Sequence, residues 1–515
     1  MPERVLKNIN EKILPQWRVC FFTALIIGLA AHLYKLINWL PNWDSIVFRY
    51  DSQNMLRLGR WLLGLVCMPT SYYDLPWING LFAVIFHSVG AVCICRIFDI
   101  KKYITAALIG AVVITFPTVT SVMIYSYVAD GYAASFMLAC LAAVFMTKDK
   151  PEYILSSILI MMSAGIYQAY ITVTVTLVLI YLIDELIFKK ESARQLGKKT
   201  LKCAGAGILG VTLYYIAMLV LLKITGETLL EYQGVNSAVS ASDIDIMSSL
   251  YVVKHTFIGY FFDFSRGINA FPIINCIVFI LITIFYIINI AAKKTYKNIG
   301  KILLLAAYIF LLPIGAAILA FINSEIDYHN LMKMGYCTFY IMFILIYERT
   351  DFGGYSKNAV KSWTVLGIGA ILAFNQIIIA NVSYHKLQMS YEKSMGTLIR
   401  IADRIEQTDG SENCGEILVI GSLPGSRAYS DELPPDITGT TDGYILRFDD
   451  EVVGQSVMCS AVNDYCGKNY GFIFGDEKKA MMEKEEIKNM NEWPGNNSVS
   501  VVDGIIVIKL GAEGE

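Results

Sequence analysis

Charge is scarce in this sequence. Only 17% of its 515 residues are Asp, Glu, Lys or Arg, against about a quarter in a soluble domain, and that shortage excludes an ordinary soluble enzyme. Cysteine is sparse as well: 11 residues in a chain of this length rule out a disulfide scaffold. There is no P-loop, no dinucleotide-binding glycine motif and no Cys/His spacing suited to zinc, where each chemistry would need its own pattern. No nucleic-acid partner is expected. No repeat of fixed period runs through the chain, nor do Gly/Pro-broken spans pair in two halves as inverted-repeat transporters require. Apolar residues are what is plentiful, at 55% of the chain with a mean hydropathy of +0.52. Disorder is thereby excluded, and a polytopic α-helical membrane protein remains.

The formal net charge of −2 conceals a division. Residues 1–383 hold 30 Lys and Arg against 21 Asp and Glu, whereas residues 384–515 hold 12 against 23. The expected organisation is therefore a membrane domain over 1–383, followed by a small acidic α/β domain over 384–515.

A helix crossing the hydrocarbon needs about 20 mostly apolar residues. Eleven such spans are expected, at 19–37, 76–96, 103–124, 129–147, 153–168, 170–188, 203–222, 271–292, 302–322, 331–347 and 362–382. The fifth and sixth come from dividing one long run at Tyr167-Gln168-Ala169-Tyr170. With a cytoplasmic N-terminus, 22 of the 30 cations in 1–383 fall on the cytoplasmic side, as the positive-inside rule demands. An odd number of spans then puts the acidic C-terminal domain outside. The first span is expected to be retained, since its apolar run is long and no small-residue cleavage site follows it.

Loop 38–75 is the most informative outer segment. It reads Pro41-Asn42-Trp43-Asp44-Ser45, then Arg49-Tyr50-Asp51, then Arg57-Leu58-Gly59-Arg60-Trp61. Leu56, Trp61, Leu62, Leu63 and Leu65 beside two cations predict an amphipathic interfacial helix, with Trp39, Trp43 and Trp61 as anchors. Taken alone, Asp44 reads as an ordinary solvated loop acid.

These residues, with Leu75-Pro76-Trp77-Ile78-Asn79-Gly80 after them, resemble the start of the serotype-converting type II glucosyltransferase (Gtr) family. The family consists of bacterial membrane transferases that look like members of the GT-C superfamily. Near the end, Asn491-Glu492-Trp493-Pro494 and Val502-Asp503-Gly504-Ile505-Ile506-Val507-Ile508-Lys509-Leu510 resemble the closing segment of members with an extracytoplasmic tail. The middle of the chain matches in hydropathy only. The resemblance implies transfer of a hexose, commonly glucose, from a polyprenyl-phosphate donor to a surface glycan outside the bacterial cytoplasmic membrane. It makes Asp44 the general base that deprotonates the acceptor hydroxyl, a step for which a carboxylate within reach suffices because phosphate leaves readily.

Asp51 is a second candidate acid, with pairing to Arg49 or Arg57 as its structural reading. The guanidinium forks of Arg60 and Arg57 suit phosphate oxygens, and the ordinary alternative is snorkelling to lipid headgroups. Asp130, at the outer end of the fourth span, can orient the acceptor or a divalent cation, or can cap its helix. Tyr167 and Gln168 are candidate substrate contacts, with interfacial anchoring as the alternative for the tyrosine. Arg266, in outer loop 223–270, and His329 and Lys333, heading the tenth span, are further phosphate candidates; a re-entrant or interfacial helix is expected over 244–262. Glu325, Asp327 and His329 have poor spacing for a metal; no cofactor is certain, and a divalent cation stays open.

In the tail an amphipathic helix is expected over 385–408, strands over 416–421 and 500–510, and a Lys/Glu helix near 477–490, with loop-rich sequence between. Cys459 and Cys466 are near enough in sequence to pair. Two other readings compete with transfer. A transporter or flippase of lipid-linked sugars would place ionisable residues deep in matched spans, and a membrane scaffold for the acidic domain would need no outer cluster at all. The acids and cations gather instead in the outer loops, where a lipid-linked sugar would be attacked.

Overall fold

The computed structural model describes the chain except for Met1, Lys190, 231–244, 265–269, Ile322, Ser324, Glu325, Asp327, 351–356, 424–445, 447–450 and 512–515. Helix α1 (Pro2–Lys12) leads into α2 (Pro15–Ile37), whose first turn accepts Pro15 because the amide that proline lacks has no partner there anyway. Two five-residue helices, α3 (Trp43–Val47) and α4 (Leu63–Cys67), lie in the first long connection. The bundle continues with α5 (Pro76–Ile97), α6 (Tyr103–Thr115), α7 (Pro117–Ile124), α8 (Ala129–Thr147), α9 (Tyr153–Ile166) and α10 (Ile171–Phe188). After these come α11 (Ala193–Thr225), opened by a Ser192/Gln195 capping box, then α12 (Ile246–Phe261), α13 (Ala270–Ala292), α14 (Ile299–Ala316), α15 (Cys337–Glu348) and the 50-residue α16 (Lys357–Glu406).

Nine helices among the described residues are long and apolar enough to span a membrane, and the bent pair α6–α7 makes a tenth. The protein is therefore a multi-pass helical membrane protein. The expected fifth span, 153–168, is the 14-residue α9, shorter than the usual spanning length. Its division from α10 falls at Tyr167, ahead of a short turn of 3-10 helix at Gln168–Tyr170. The run 103–124 bends by 43° because Pro117 forces Phe116 out of the helical region, to ψ 135°. The 244–262 segment forms α12, capped by Asp245, whose carboxylate accepts from the backbone N–H groups of Met247 and Ser248.

The predicted amphipathic helix near 56–65 is not one element. It divides into a 3-10 turn at Leu56–Leu58 and α4, separated by Gly59 at φ +75°. Leu56 and Leu63 are buried rather than turned to lipid. Loop 125–128 is also buried, as a 3-10 turn at Ser126–Val128.

α16 runs through residue 383 without interruption and into the amphipathic stretch expected over 385–408. Beyond it, strands β1 (Glu416–Ile420), β2 (Gly471–Phe472), β3 (Val499–Val502) and β4 (Ile505–Lys509) form a sheet of order β2-β1-β4-β3. β1 is parallel to both neighbours, and β3 and β4 are antiparallel. The single strand expected over 500–510 is thus a hairpin. Asp503 and Gly504, at φ 51° and 76°, supply the two left-handed residues that a tight Asp-Gly turn requires. Helices α17 (Glu451–Cys466), α18 (Gly475–Met482) and α19 (Glu485–Lys488) complete the unit. α17 was unforeseen; the Gln455 side-chain amide fixes it to β1 by exchanging hydrogen bonds with the backbone of Val419. Cys459 and Cys466 are free thiols. Seven residues along one helix separate them by about 10 Å, beyond disulfide reach.

Candidate active site

The first outer connection is built locally. Asn42 caps α3 by accepting from the Ser45 amide at 3.0 Å and from its hydroxyl at 2.9 Å. This sets Asp44 in the first turn, partly buried. No side chain among the described residues hydrogen-bonds its carboxylate. Burial pushes the Asp44 carboxyl up to about 6, with the positive charge of Arg60 pulling the other way. Tyr127 lies within electrostatic range of the same carboxylate, and its ring stacks on Phe48 at 5.6 Å between centroids.

Arg60 arrives from the far side of the connection. Its guanidinium donates to the Tyr132 hydroxyl at 2.8 Å and sits 5.0 Å from the Tyr167 ring centre. Tyr132 and Tyr167 are themselves stacked, 4.3 Å apart. The neighbours of Arg60 explain its placement. Gly59 adopts the left-handed conformation, and a Cβ there would lie 2.5 Å from the Tyr214 hydroxyl and 2.7 Å from the Gln168 amide nitrogen. Tyr214 donates to the Gly59 carbonyl at 3.1 Å, and Gln168 donates to the Leu58 carbonyl at 2.9 Å. Trp61 on the other side packs against Gly165, where any Cβ would come within 2.6 Å of the indole. Gly59 before it and Gly165 against Trp61 therefore let one arginine be pressed against a tyrosine wall.

Asp130 is buried below. Its carboxylate accepts from Thr70 at 2.8 Å and from the Cys67 thiol at 3.8 Å, tying the head of α8 to the end of the first connection. Burial and the neighbouring Asp130 charge both push the Cys67 thiol up. Asp130 stands in the first turn of α8 rather than at its cap, which is Val128. Asp51 is exposed, and its carboxylate accepts from the Gln53 amide at 2.8 Å, closing a local turn. Arg57 is exposed as well and donates to the Thr228 carbonyl at 3.2 Å. His329 begins a 3-10 turn over Asn330–Tyr336 that packs against α7 and the Gln168–Tyr170 turn. Lys333 on that turn lies 5.8 Å from the Tyr260 ring centre. Arg266, Glu325 and Asp327 lie outside the described residues.

The structure thus gathers Asp44, Arg60, Tyr167 and Gln168, leaves Asp51 and Arg57 exposed, and spends Gln168 on holding the Arg60 loop. Among the described residues no three His, Cys, Asp or Glu side chains form a metal-binding group.

Tyr127 and Tyr132 went unnamed in the sequence, as did Lys35. Lys35 is buried in α2 and donates to the Ser126 hydroxyl at 3.1 Å. It feels the charge of buried Asp74, which accepts from the Trp39 indole at 3.0 Å. A lysine inside an apolar run was a readable signal; the tyrosines had none beyond being common at interfaces.

The family model described as Glucosyl transferase GtrII matches residues 33–374. The chain belongs to this family. No curated protein and no solved structure matches it. It is a membrane glucosyltransferase, which implies a sugar donor and an acceptor. The matched range includes Asp44, Arg60 and every residue gathered around them, and it ends within α16, so the β-sheet unit of this GtrII glucosyltransferase lies beyond it.

Proposed function

We propose that this GtrII glucosyltransferase moves glucose from a polyprenyl-phosphate donor to a cell-surface glycan at the extracytoplasmic face of a bacterial cytoplasmic membrane. Asp44 is the general base. It takes the proton of the acceptor hydroxyl as that oxygen bonds to the anomeric carbon, while the bond from that carbon to the phosphate oxygen breaks and its electron pair leaves with the polyprenyl phosphate. Arg60 holds the departing phosphate, with Lys333 and His329 as further donor contacts and Tyr167 lining the sugar subsite. Asp130 and Gln168 keep the loops in register, and Asp51, Arg57 and Arg266 stand as peripheral candidates.

One observation carries this reading. A half-buried carboxylate with no hydrogen-bonded partner among the described residues feels the charge of a guanidinium pressed on stacked tyrosines. A proton acceptor beside an anion holder is what the transfer needs, and the raised carboxyl suits a base working near neutrality. The test is transfer by the purified protein in lipid nanodiscs, given polyprenyl-phosphate-glucose and a surface-glycan acceptor. Asp44→Asn is expected to lose about 10²–10⁴-fold with an unchanged melting curve. Full activity in that variant would end the base assignment, and donor translocation without transfer would replace the enzyme reading with a flippase.

A further inference from the structure

The helix that carries Asp44 is shared between two parts of the protein. α3 has five residues, too few to be stable by itself, so its seating comes from what it packs against. Asp44 and Ile46 are two positions apart, roughly 200° around a helix, and they therefore face opposite ways. Asp44 lies within electrostatic range of Arg60 and Tyr127. Ile46 is 6% exposed and belongs to the core of the β-sheet unit, with Leu398 and Ile401 of α16, Val457, Met458 and Ala461 of α17, and Ile417 of β1. Trp43, Val47 and Trp39 pack on that core from the same side.

A polar contact lies alongside the apolar seam. Arg49, just past α3, bonds Asp464 of α17 at 2.8 Å, with its guanidinium 4.4 Å from the Trp39 ring centre. Trp39 in turn makes an edge contact with Tyr391 of α16. Every α16 and α17 residue in this seam lies past residue 374, where the family match stops.

We infer that the C-terminal unit is a built-in positioning element for the transfer site: α17 and the end of α16 clamp the outer face of α3 through Ile46 and the Arg49–Asp464 pair and so hold Asp44 against the Arg60 pocket. The inference rests on Asp44 being the base. Ile46 and Asp464 are positioning residues that touch no substrate. Their effect reaches the chemistry through the seating and desolvation of Asp44, and it falls on kcat rather than on donor affinity.

The charged and titratable groups around α3 set the sign of the pH effect. Arg60 of the same connection and Tyr127 of the Ser126–Val128 turn act electrostatically on Asp44, while Arg49 and Asp464 lie across the seam, with Tyr391 beside them. Burial is the larger influence on Asp44 and Arg60 the smaller. Loosening α3 hydrates the carboxylate, so the acid limb of the kcat profile moves to lower pH, toward the ordinary carboxylate range.

The full-length protein in nanodiscs is assayed as wild type, Ile46→Ala, Asp464→Lys, Asp464→Glu and Asp44→Asn, with hydrogen exchange followed over residues 43–48. Ile46→Ala is expected to lower kcat about tenfold or more, with donor KM within about twofold, and to carry the acid limb down. Asp464→Lys, which places a cation against Arg49, should lower kcat about two- to fivefold, the span of an exposed ion pair, and Asp464→Glu should match wild type. Both losses should come with faster exchange in 43–48. Unchanged kcat, limb and exchange in Ile46→Ala and Asp464→Lys would overturn the clamp. So would a loss of activity at an unmoved limb, which marks only fewer folded molecules. If Ile46→Ala fails to fold, the Asp464 pair decides, because it is solvent-exposed. Retained transfer in Asp44→Asn is a separate failure: it removes the base while exchange in 43–48 still reports the seating.

Discussion

At the scale of the residue, two charges and one glycine govern the site. Arg60 is the positive group that pulls the Asp44 carboxyl down against burial. With Asp44 as the proposed base, which must be deprotonated to work, kcat/KM should fall as pH drops through about 6. In Arg60→Gln the counter-charge is gone, burial acts unopposed, and the acid limb should move to higher pH while donor KM rises; a pH series of initial rates measures both. An unmoved limb would mean that the two groups do not feel each other. Gly59 is the second lever. In Gly59→Ala a methyl group meets the Tyr214 hydroxyl and the Gln168 amide at φ +75°, a strained conformation costing about 1–2 kcal/mol before any clash. Donor KM should rise in that variant, and Tyr214→Phe, which removes one hydrogen bond, should do less. Asp44 and Arg60 were legible because a carboxylate and a guanidinium beside Trp and Gly make a recognisable string. Gln168 was legible as polar, but its hydrogen bonds to the Arg60 loop depend on α11, some 46 residues away at Tyr214, and no local pattern reports that.

At the scale of the element, helices followed apolar runs and breaks followed Pro and Gly. The bend at Pro117 and the divided helix at Gly59 both obey backbone sterics, yet periodicity alone had joined each pair. The Asp503-Gly504 dipeptide favours a tight turn, yet the apolar run around it reads as one strand over 500–510 where the structure has a hairpin. What holds elements to one another was less visible. Asp184 of α10 and Arg349, after α15, form a two-pronged pair at 2.8 and 2.7 Å, with Arg349 also donating to the Phe98 carbonyl. Asp184→Asn leaves that largely buried guanidinium without its counter-charge. A loss of about 3–5 kcal/mol is expected, read as a lowered melting temperature in detergent with the transfer chemistry of the surviving fold unchanged.

At the scale of the whole molecule, the near-cancelled net charge separates into a cationic bundle and an acidic C-terminal unit. If the basic loops face the cytoplasm, Lys198 and Asp476, both exposed, lie on opposite sides of the membrane. A membrane-impermeant maleimide should then label Asp476→Cys in intact cells and Lys198→Cys only after permeabilisation; the reverse result would invert the topology. Hydropathy by itself determined that this chain crosses a membrane many times, because a lipid core leaves a polypeptide no cheaper way to satisfy its backbone than helices. Local strings determined the helix ends, the turns and the two charges worth testing. Only the tertiary structure decided that Asp44 and Arg60, 16 residues apart along an irregular connection, come near enough for the guanidinium charge to act on the carboxylate, and that a helix beyond residue 450 backs the one carrying Asp44. Contacts of that kind come from packing between segments remote in sequence, and burial of Ile46 in a second core leaves no periodic trace in a helix of five residues.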